Sequence, residues 1–554
     1  EVKAPGKGAD PRRFRDPHDR EQWERLKSLP NLMYTDGSAF SLWRDGELDG
    51  TIMRLQGELD AAGAALSAPP ALQMLFEDFL RWQPIAPRSA RQLAELTARL
   101  CRLLRDEVAE QMAHGSAPLT ELATDWRRLL FPDAGDERFA DGYAQAVTFG
   151  LLVARARGLS LRDGLDPVAR GLGRTDSLIG TALRLLTDSA ENQKVLQTSI
   201  GTLVRVLDEV EWSVLSRGDA DAWLYFYEQF LDVYDSRLRK QTGSYYTPPE
   251  VVEAMVRLVD DALRTRFGQA KGLGASNVTI ADPAVGTGTF LIGVLRRIAS
   301  AVEVADGAGA VPAAIDAAIK RLYAFEIQLG PYAVAQLRIV AELTSLCGEV
   351  PHEPLRMFVT DTLANPWIEQ ERMGALYEPI AESRRRANRI KRENAITVVV
   401  GNPPYKEKAR GMGGWVESGG ENHPAPLLDW MPPPAWGVSA HAKHLRNLYV
   451  YFWRWATWKV FDHDPSADRG IVCFITVAGF LNGPGFQRMR EDLRRKTDEI
   501  WIIDCSPEGH QPEVNTRIFQ GVQQPICIML ASRSPSSASD VPAPVRYRAL
   551  PEGH

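Results

Sequence analysis

The residues of this chain best suited to chemistry are Asn402, Pro403, Pro404 and Tyr405, which follow the run Val398-Val399-Val400-Gly401. The Asn402 side-chain oxygen and the Pro403 carbonyl can both accept hydrogen bonds from an exocyclic NH2 group. Those bonds draw the nitrogen out of conjugation and aim its lone pair at an electrophile, while Tyr405 can stack on the ring that bears it. The set suits methyl transfer to a planar amine. Two consecutive prolines fix the backbone, so the groups around them point one way. The same four residues also make an ordinary strand-ending turn, and the rest of the chain decides between the readings.

A sheet strand must hold that turn. The β-branched run from Ile396 to Val400 reads as a strand buried on both faces. A rigid turn at its carboxyl end lies where open α/β sheets bind ligands. Val278-Thr279-Ile280 reads as the first strand of that sheet. It runs into Asp282-Pro283-Ala284-Val285-Gly286-Thr287-Gly288-Thr289-Phe290-Leu291 and then a helix to about Val302. Gly286 and Gly288 allow close backbone approach at this turn, which fits an adenosine or methionine moiety. The dinucleotide fingerprint fails, because its third glycine position is Leu291. Leu322 to Phe325 reads as the second strand, closed by Glu326, whose carboxylate can bind both hydroxyls of a ribose. The Gly/Ala-rich stretch from Asp306 to Pro312 reads as a surface insertion before it. A helix from Pro331 to Leu343 and a third strand from Phe358 to Thr360, ending at Asp361, complete this half. Upstream, Thr247-Pro248-Pro249-Glu250 predicts an N-cap at Thr247 and a first helical residue at Pro248, with Glu250 closing a capping box. The helix then runs from Val251 to Leu263, and its positive end suits a carboxylate.

In this order, spanning about Thr242 to Leu530, the motifs resemble the gamma-class N6-adenine DNA methyltransferases, which use S-adenosylmethionine. The resemblance implies a doubly wound, Rossmann-like methyltransferase domain preceded by an α-helical domain. It implies that Tyr246 and Thr247 contact the methionine end of the cofactor. Asp282, Pro283, Ala284, Gly286, Gly288, Thr289 and Phe290 form the cofactor loop. Glu326 takes the ribose, Ile327 packs on the adenine, Asp361 meets the adenine amino group, and Asn402 borders both ligands. Asn402, Pro403, Pro404 and Tyr405 are the implied catalytic set, and Asn at 402 favours adenine N6 over cytosine. The target adenine would be flipped out of duplex DNA, with Tyr405 and Phe519 against the base. No general base and no metal is required. Among large enzymes of this kind, the single-chain type ISP-like restriction–modification and phage-defence group is the nearest match. Its target-recognition domain would follow His554, and other subunits of a restriction or defence system are conceivable partners. Two alternatives stay open: an amino-methyltransferase acting on protein glutamine or ribosomal RNA guanine, and a cofactor-binding defence scaffold that needs a partner.

Beyond Tyr405, Lys406 to Gly437 is rich in Gly and Pro and reads as a long loop without regular structure, a lid able to order on DNA. Leu445 to Trp453 begins a strongly amphipathic helix, Gly470 to Ala478 is the fifth strand, and Pro484 to Lys496 the next helix. Ile500–Ile503 and Ile526–Leu530 pair as the antiparallel end of the sheet, and Ser534 to Ser539 reads as linker.

The chain has 554 residues, 44% hydrophobic and 25% charged, with net charge −6. That length corresponds to roughly three to four domains. The longest apolar run, near Gly470 to Leu481, is too short to span a bilayer, so no membrane is expected and a bacterial or archaeal cytoplasm is. Cys101, Cys347, Cys473, Cys505 and Cys527 lack CxxC spacing and read as buried free thiols, which excludes a disulfide scaffold or zinc ribbon. There is no global basic footprint, but Arg384–Arg386 with Arg389, Lys391 and Arg392 form one local cluster. Arg488, Arg490, Arg494, Arg495 and Lys496 form another; solvated helix faces explain both equally well. The chain opens on Glu1 rather than Met, so its true N-terminus is expected upstream. Glu1-Val2-Lys3 places a carboxylate and an ammonium on one strand face and resembles the half-site of PD-(D/E)xK nucleases. With a helix over Asp19–Leu29 and a hairpin of Asn31–Tyr34 and Phe40–Trp43, residues 1–50 read as an inactive remnant of a nuclease-like α/β domain. Helical spacing through Leu93–Val108, Ala144–Ala156, Leu178–Leu186 and Ile200–Val210 marks 51–240 as an α-helical domain. It ends in the aromatic helix Tyr225–Tyr234, read as core packing. Residues 241–532 are then the methyltransferase domain, and 533–554 the linker.

Overall fold

The computed structural model describes residues 1–57, 67–129, 134–175, 179–180, 183–184, 196–211, 222–235, 247–348, 355–368, 378–464, 469–507, 509, 518–519, 524–534 and 541–551. The chain begins with a small antiparallel sheet of β1 (Leu32–Thr35), β2 (Ala39–Arg44) and β3 (Glu47–Arg54), in that order. The expected hairpin therefore has a third strand, and residue 50 falls inside it. Glu1 to Lys3 lies parallel along β1, with Lys3 N–H donating to Thr35 O at 2.7 Å and Thr35 N–H to Glu1 O at 3.0 Å. The helix on this sheet spans Pro17–Leu26, capped by Asp16, which accepts from the N–H groups of His18 and Asp19. Its Trp23 sits edge-on between Tyr34 and Trp43, with centroids 5.8 and 5.0 Å away.

Helices Ala90–Ala113, Asp136–Ala156, Gln197–Asp208 and Ala222–Tyr234 follow the expected apolar spacing. Most of Leu178–Leu186 lies outside the described residues. Phe226, Tyr227, Phe230 and Tyr234 are buried, and Phe230 packs on Phe149 at 4.9 Å. This layer meets the larger sheet through helix Leu329–Cys347, where Gly330 leaves room for the Phe149 ring.

The larger sheet has eight strands: β4 (Ile280–Asp282), β5 (Leu322–Glu326), β6 (Arg356–Val359), β7 (Val398–Gly401), β8 (Gly470–Val477), β9 (Glu499–Asp504), β10 (Ile526–Arg533) and β11 (Val545–Ala549). Their order is β11-β9-β10-β8-β7-β4-β5-β6. Strands β4 to β8 pair in parallel, and β10 runs antiparallel to β8 and β9. All residues of β7 and β8 are buried, as strands covered on both faces must be. The order reverses between β4 and β7, which opens the crevice that such sheets use for ligands.

Five local expectations change. The first strand is two residues later than predicted, so Asp282 ends it rather than following it. The stretch expected as a surface insertion, Asp306 to Pro312, holds a 3-10 turn at Ala308–Ala310 and opens helix Val311–Ile319, whose Val311, Ile315, Ala318 and Ile319 make one buried stripe. Residues 406–437 are not an irregular loop: helix Gly414–Ser418 and several 3-10 turns bury Trp415, Leu427 and Trp430. Helix Leu448–Thr457 is buried on every side rather than amphipathic. Its one charge, Arg454, is taken up inside by Asp429 at 2.6 Å, Asp462 at 2.8 Å and Pro426 O at 2.8 Å. Last, residues 545–549, read as linker, form β11, which pairs in parallel with β9. Cys101, Cys473, Cys505 and Cys527 are buried free thiols, and Cys347 is half-buried.

Candidate active site

The two sides of the crevice are the ends of β4 and β7, and they touch. A Cβ on Gly401 would meet Asp282 Oδ1 at 2.8 Å, so only glycine lets β7 end this close to the carboxylate. Asp282 Oδ1 accepts the Ala284 N–H at 3.0 Å, while Oδ2 is buried without a hydrogen-bond partner. Burial pushes the Asp282 carboxyl up to about 7, and Glu326 adds to the rise. Gly286 (φ +54) and Gly288 (φ +84) shape the turn into helix Thr289–Asp306, where a side chain at either position would be strained.

Glu326 closes β5 as predicted and turns its carboxylate onto backbone N–H groups. Oε2 accepts from Gly286 at 2.9 Å, and Oε1 from Ile327 at 2.9 Å and Gln328 at 2.8 Å. A carboxylate offers about four acceptor positions, so one is left. Taking both ribose hydroxyls, as expected, would require one of these backbone bonds to open. Burial raises this carboxyl to about 7 as well. Pro283 and Phe290 are buried; Ala284, Thr289 and Ile327 are half-buried. Half-buried Asp361 accepts the Leu363 N–H at 2.9 Å, and desolvation raises its carboxyl.

On the β7 side, Asn402 is half-buried and anchored at both ends of its amide. Nδ2 donates to Thr247 Oγ1 at 3.1 Å, and Tyr405 Oη donates to Oδ1. This corrects the capping prediction: the helix spans Pro249–Arg266 with Pro248 at the cap and no side-chain cap bond. The Thr247 hydroxyl faces Asn402 instead. Tyr405 is buried against Phe519, ring centroids 6.0 Å apart and planes at 59°. The two aromatics read from distant stretches are thus in contact. Tyr246 lies outside the described residues.

Three supports were not foreseen. Arg338, buried in helix Leu329–Cys347, donates to Thr287 O at 2.8 Å and Thr289 Oγ1 at 2.9 Å, bracing the glycine turn. Thr362 Oγ1 donates to Pro283 O at 2.5 Å, tying the β6 loop to the β4 loop. Lys391 is fully buried and donates to Asp361 O at 2.7 Å and Thr360 Oγ1 at 3.2 Å. Burial lowers its ammonium to about 7. The available signal was a lone Arg between Leu337 and Ile339 in an apolar helix; Lys391 was legible only as part of a basic cluster.

Most of both basic clusters turns inward or pairs locally, while Arg389 is exposed. Arg385 bonds Glu382 at 2.7 Å, and Arg386 lies over Phe358. Glu491 takes Arg488 at 2.7 Å and Arg495 at 2.8 Å, while Arg490 and Arg494 bond carbonyls. Among the described residues, no group of three or more His, Cys, Asp or Glu is placed to hold a metal ion. Nor is any helix there long and apolar enough to cross a membrane.

The strand order and the crevice at its reversal define the fold of class I S-adenosylmethionine-dependent methyltransferases. Within it, residues 219–417 match the family model of N-6 DNA methylase, in agreement with the resemblance read from the motifs. Among solved structures, a DrdV–DNA complex is similar with TM-score 0.58 and 19% identity, over 98% of this chain and 50% of that one. The type ISP restriction–modification enzyme LlaBIII bound to DNA has TM-score 0.60 and 18% identity, over 83% of this chain and 30% of that one. A nuclease-deletion mutant of the type ISP enzyme LlaGI with a DNA substrate mimic has TM-score 0.57 and 17% identity, over 87% and 37%. At such identities the likeness is one of fold. This chain spans half or less of the length of each of the three.

Proposed function

We propose that the chain transfers a methyl group from S-adenosylmethionine to N6 of an adenine flipped out of DNA, as part of a restriction–modification or phage-defence system. The observation that carries this reading is the amide of Asn402. Its nitrogen is held by Thr247 and its oxygen is turned towards Tyr405, so an acceptor is already aimed at the face where an exocyclic amine would lie. A side-chain amide oxygen has two lone pairs, and an N6 proton can join or replace the Tyr405 hydroxyl there. The family match over 219–417 supports the same reading.

The β4 side fits the cofactor. Asp282 Oδ2 is a buried acceptor awaiting a donor, Glu326 keeps one acceptor position, and the Gly286–Gly288 turn admits close approach. S-adenosylmethionine supplies an electrophilic methyl group when bound. Asn402 and the Pro403 carbonyl hold the amine, Tyr405 and Phe519 part to stack on the base, and Arg338 and Thr362 keep the cofactor side in register. Orientation and electrostatics carry the reaction.

Labelled methyl from S-adenosylmethionine, offered with duplex DNA, ribosomal RNA or a glutamine peptide, tests this. Label on adenine N6 that is lost in Asn402→Ala is the expected result. Label on RNA or peptide alone, or on no acceptor while the cofactor binds, overturns it.

A further inference from the structure

Two stretches run side by side along the outer edge of the catalytic turn. Residues 406–411 leave Tyr405 directly, and residues 441–448 return into helix Leu448–Thr457. Backbone bonds zip them together: Ala409 N–H donates to Arg446 O and Leu448 N–H to Lys406 O, both at 2.8 Å. The Asn447 side chain accepts the Lys408 N–H at 3.0 Å. Lys406, Lys408, Arg410, His441, Lys443 and His444 are all exposed on this ribbon. Its only carboxylate is Glu407. Glu417, which lies beside the ribbon, accepts the Gly411 and Gly413 N–H groups and reaches Arg446 at 3.8 Å.

Two features set this ribbon apart from the other basic surfaces. Apart from the exposed Arg389, the arginines of helices Glu378–Glu393 and Gln487–Lys496 have carboxylate, carbonyl or ring partners, whereas Lys406, Lys408, Arg410 and Lys443 make no ion pair with any described residue. Lys408 also holds φ +51, a left-handed conformation costing a bulky side chain roughly 1 kcal/mol or more. Asn447 holds that backbone in place, and the Lys408 ammonium stays outside. An acidic protein that keeps unpaired cations in a row next to its catalytic turn has built a local anionic-polymer site.

We propose that 406–411 and 441–448 form a phosphate-binding rail for the DNA strand that presents its base to Asn402. The inference rests on the methyltransferase reading above and assigns part of its DNA contact to this ribbon. Phosphate contacts position without reading sequence, so the rail would hold the backbone flanking the flipped nucleotide whatever the recognition sequence.

The test is the salt dependence of DNA binding by the intact chain and by Lys406→Gln/Lys408→Gln/Arg410→Gln/Lys443→Gln. Each lost phosphate contact removes about 0.9 from the slope of log affinity against log salt. The quadruple variant is expected to lose roughly 2 to 4 in slope and to bind ~10- to 100-fold more weakly near 0.1 M salt. Its cofactor affinity and melting midpoint stay at the parent's values, which shows that it folds. Arg495→Gln, whose partner is Glu491, leaves the slope unchanged. A parent chain that methylates DNA while the quadruple variant keeps the same slope overturns the rail alone. A parent chain that neither binds nor methylates DNA overturns the function reading and the rail with it.

Discussion

Two carboxylate sites of this molecule, Asp19 near the N-terminus and the Asp282–Glu326 pair in the crevice, are both buried and are treated in opposite ways. On helix Pro17–Leu26, which covers the small N-terminal sheet, Asp19 is buried between Lys3 and Lys7, with Lys3 Nζ at 2.8 Å. The hydrogen bond from Lys3, and then that from Lys7, holds its carboxyl below the ordinary range. In the large sheet, Asp282 and Glu326 meet only backbone N–H groups, one Asp282 oxygen meets nothing, and both carboxyls rise to about 7. A carboxylate with its own cation is a strut, complete without a ligand. One with a buried oxygen that no donor meets, like Asp282 Oδ2, is incomplete until a donor or positive charge arrives from outside. In the first sheet, Lys3 reaches Glu1 at only 3.5 Å and is bound to Asp19 at 2.8 Å.

The contrast can be broken at each end. The largest effect is expected at the crevice's far wall: Asn402→Ala lowers methyl transfer roughly a hundred- to thousandfold, with cofactor affinity read separately by calorimetry. Next comes pH. Asp282 and Glu326 rise from ordinary values near 4 when unfolded to about 7 when folded. Folding therefore takes up protons in that window, and stability falls as pH rises from about 4 to about 7. Asp282→Asn flattens this fall in denaturant titrations and also weakens the cofactor; an unchanged pH profile would break the comparison. In the first sheet, Lys3→Met strips Asp19 of its buried cation and costs ~2 kcal/mol of stability, most at neutral pH, without touching cofactor affinity. Smallest is Lys391→Arg, which shifts the β6 loop and raises KM for the cofactor roughly threefold to tenfold with kcat nearly kept.

The parts written in local sequence were legible: the strand run into Asn402, the glycine turn after Asp282, and Glu326 closing β5. Each depends on a few neighbouring residues whose backbone preferences agree. Long-range partners were not. Thr247 looks like a helix cap because Thr-Pro-Pro-Glu satisfies the cap pattern, yet Asn402, 155 positions away, takes its hydroxyl. Glycines and prolines made 406–437 look irregular, although Trp415, Leu427 and Trp430 fold it against the body. The helix that Leu445 to Trp453 begins looked amphipathic, yet it is buried all round, and the acids that neutralise its Arg454, Asp429 and Asp462, lie outside it. Strand β11 has alternating charges and no buried face, so only its pairing with β9 identifies it.

The fold of 406–437 has one more consequence. Trp415 N–H donates to Leu363 O at 2.8 Å, and Gly414 fits so tightly on that carbonyl that a Cβ would come within 2.4 Å. Leu363 belongs to the β6 loop on the cofactor side, while Gly414 and Trp415 belong to the segment that continues from Tyr405 on the target side. A displacement of either is transmitted to the other through a backbone contact with no slack. Occupancy of one ligand site is then expected to change affinity at the other, and thermodynamic reciprocity requires the same factor in both directions.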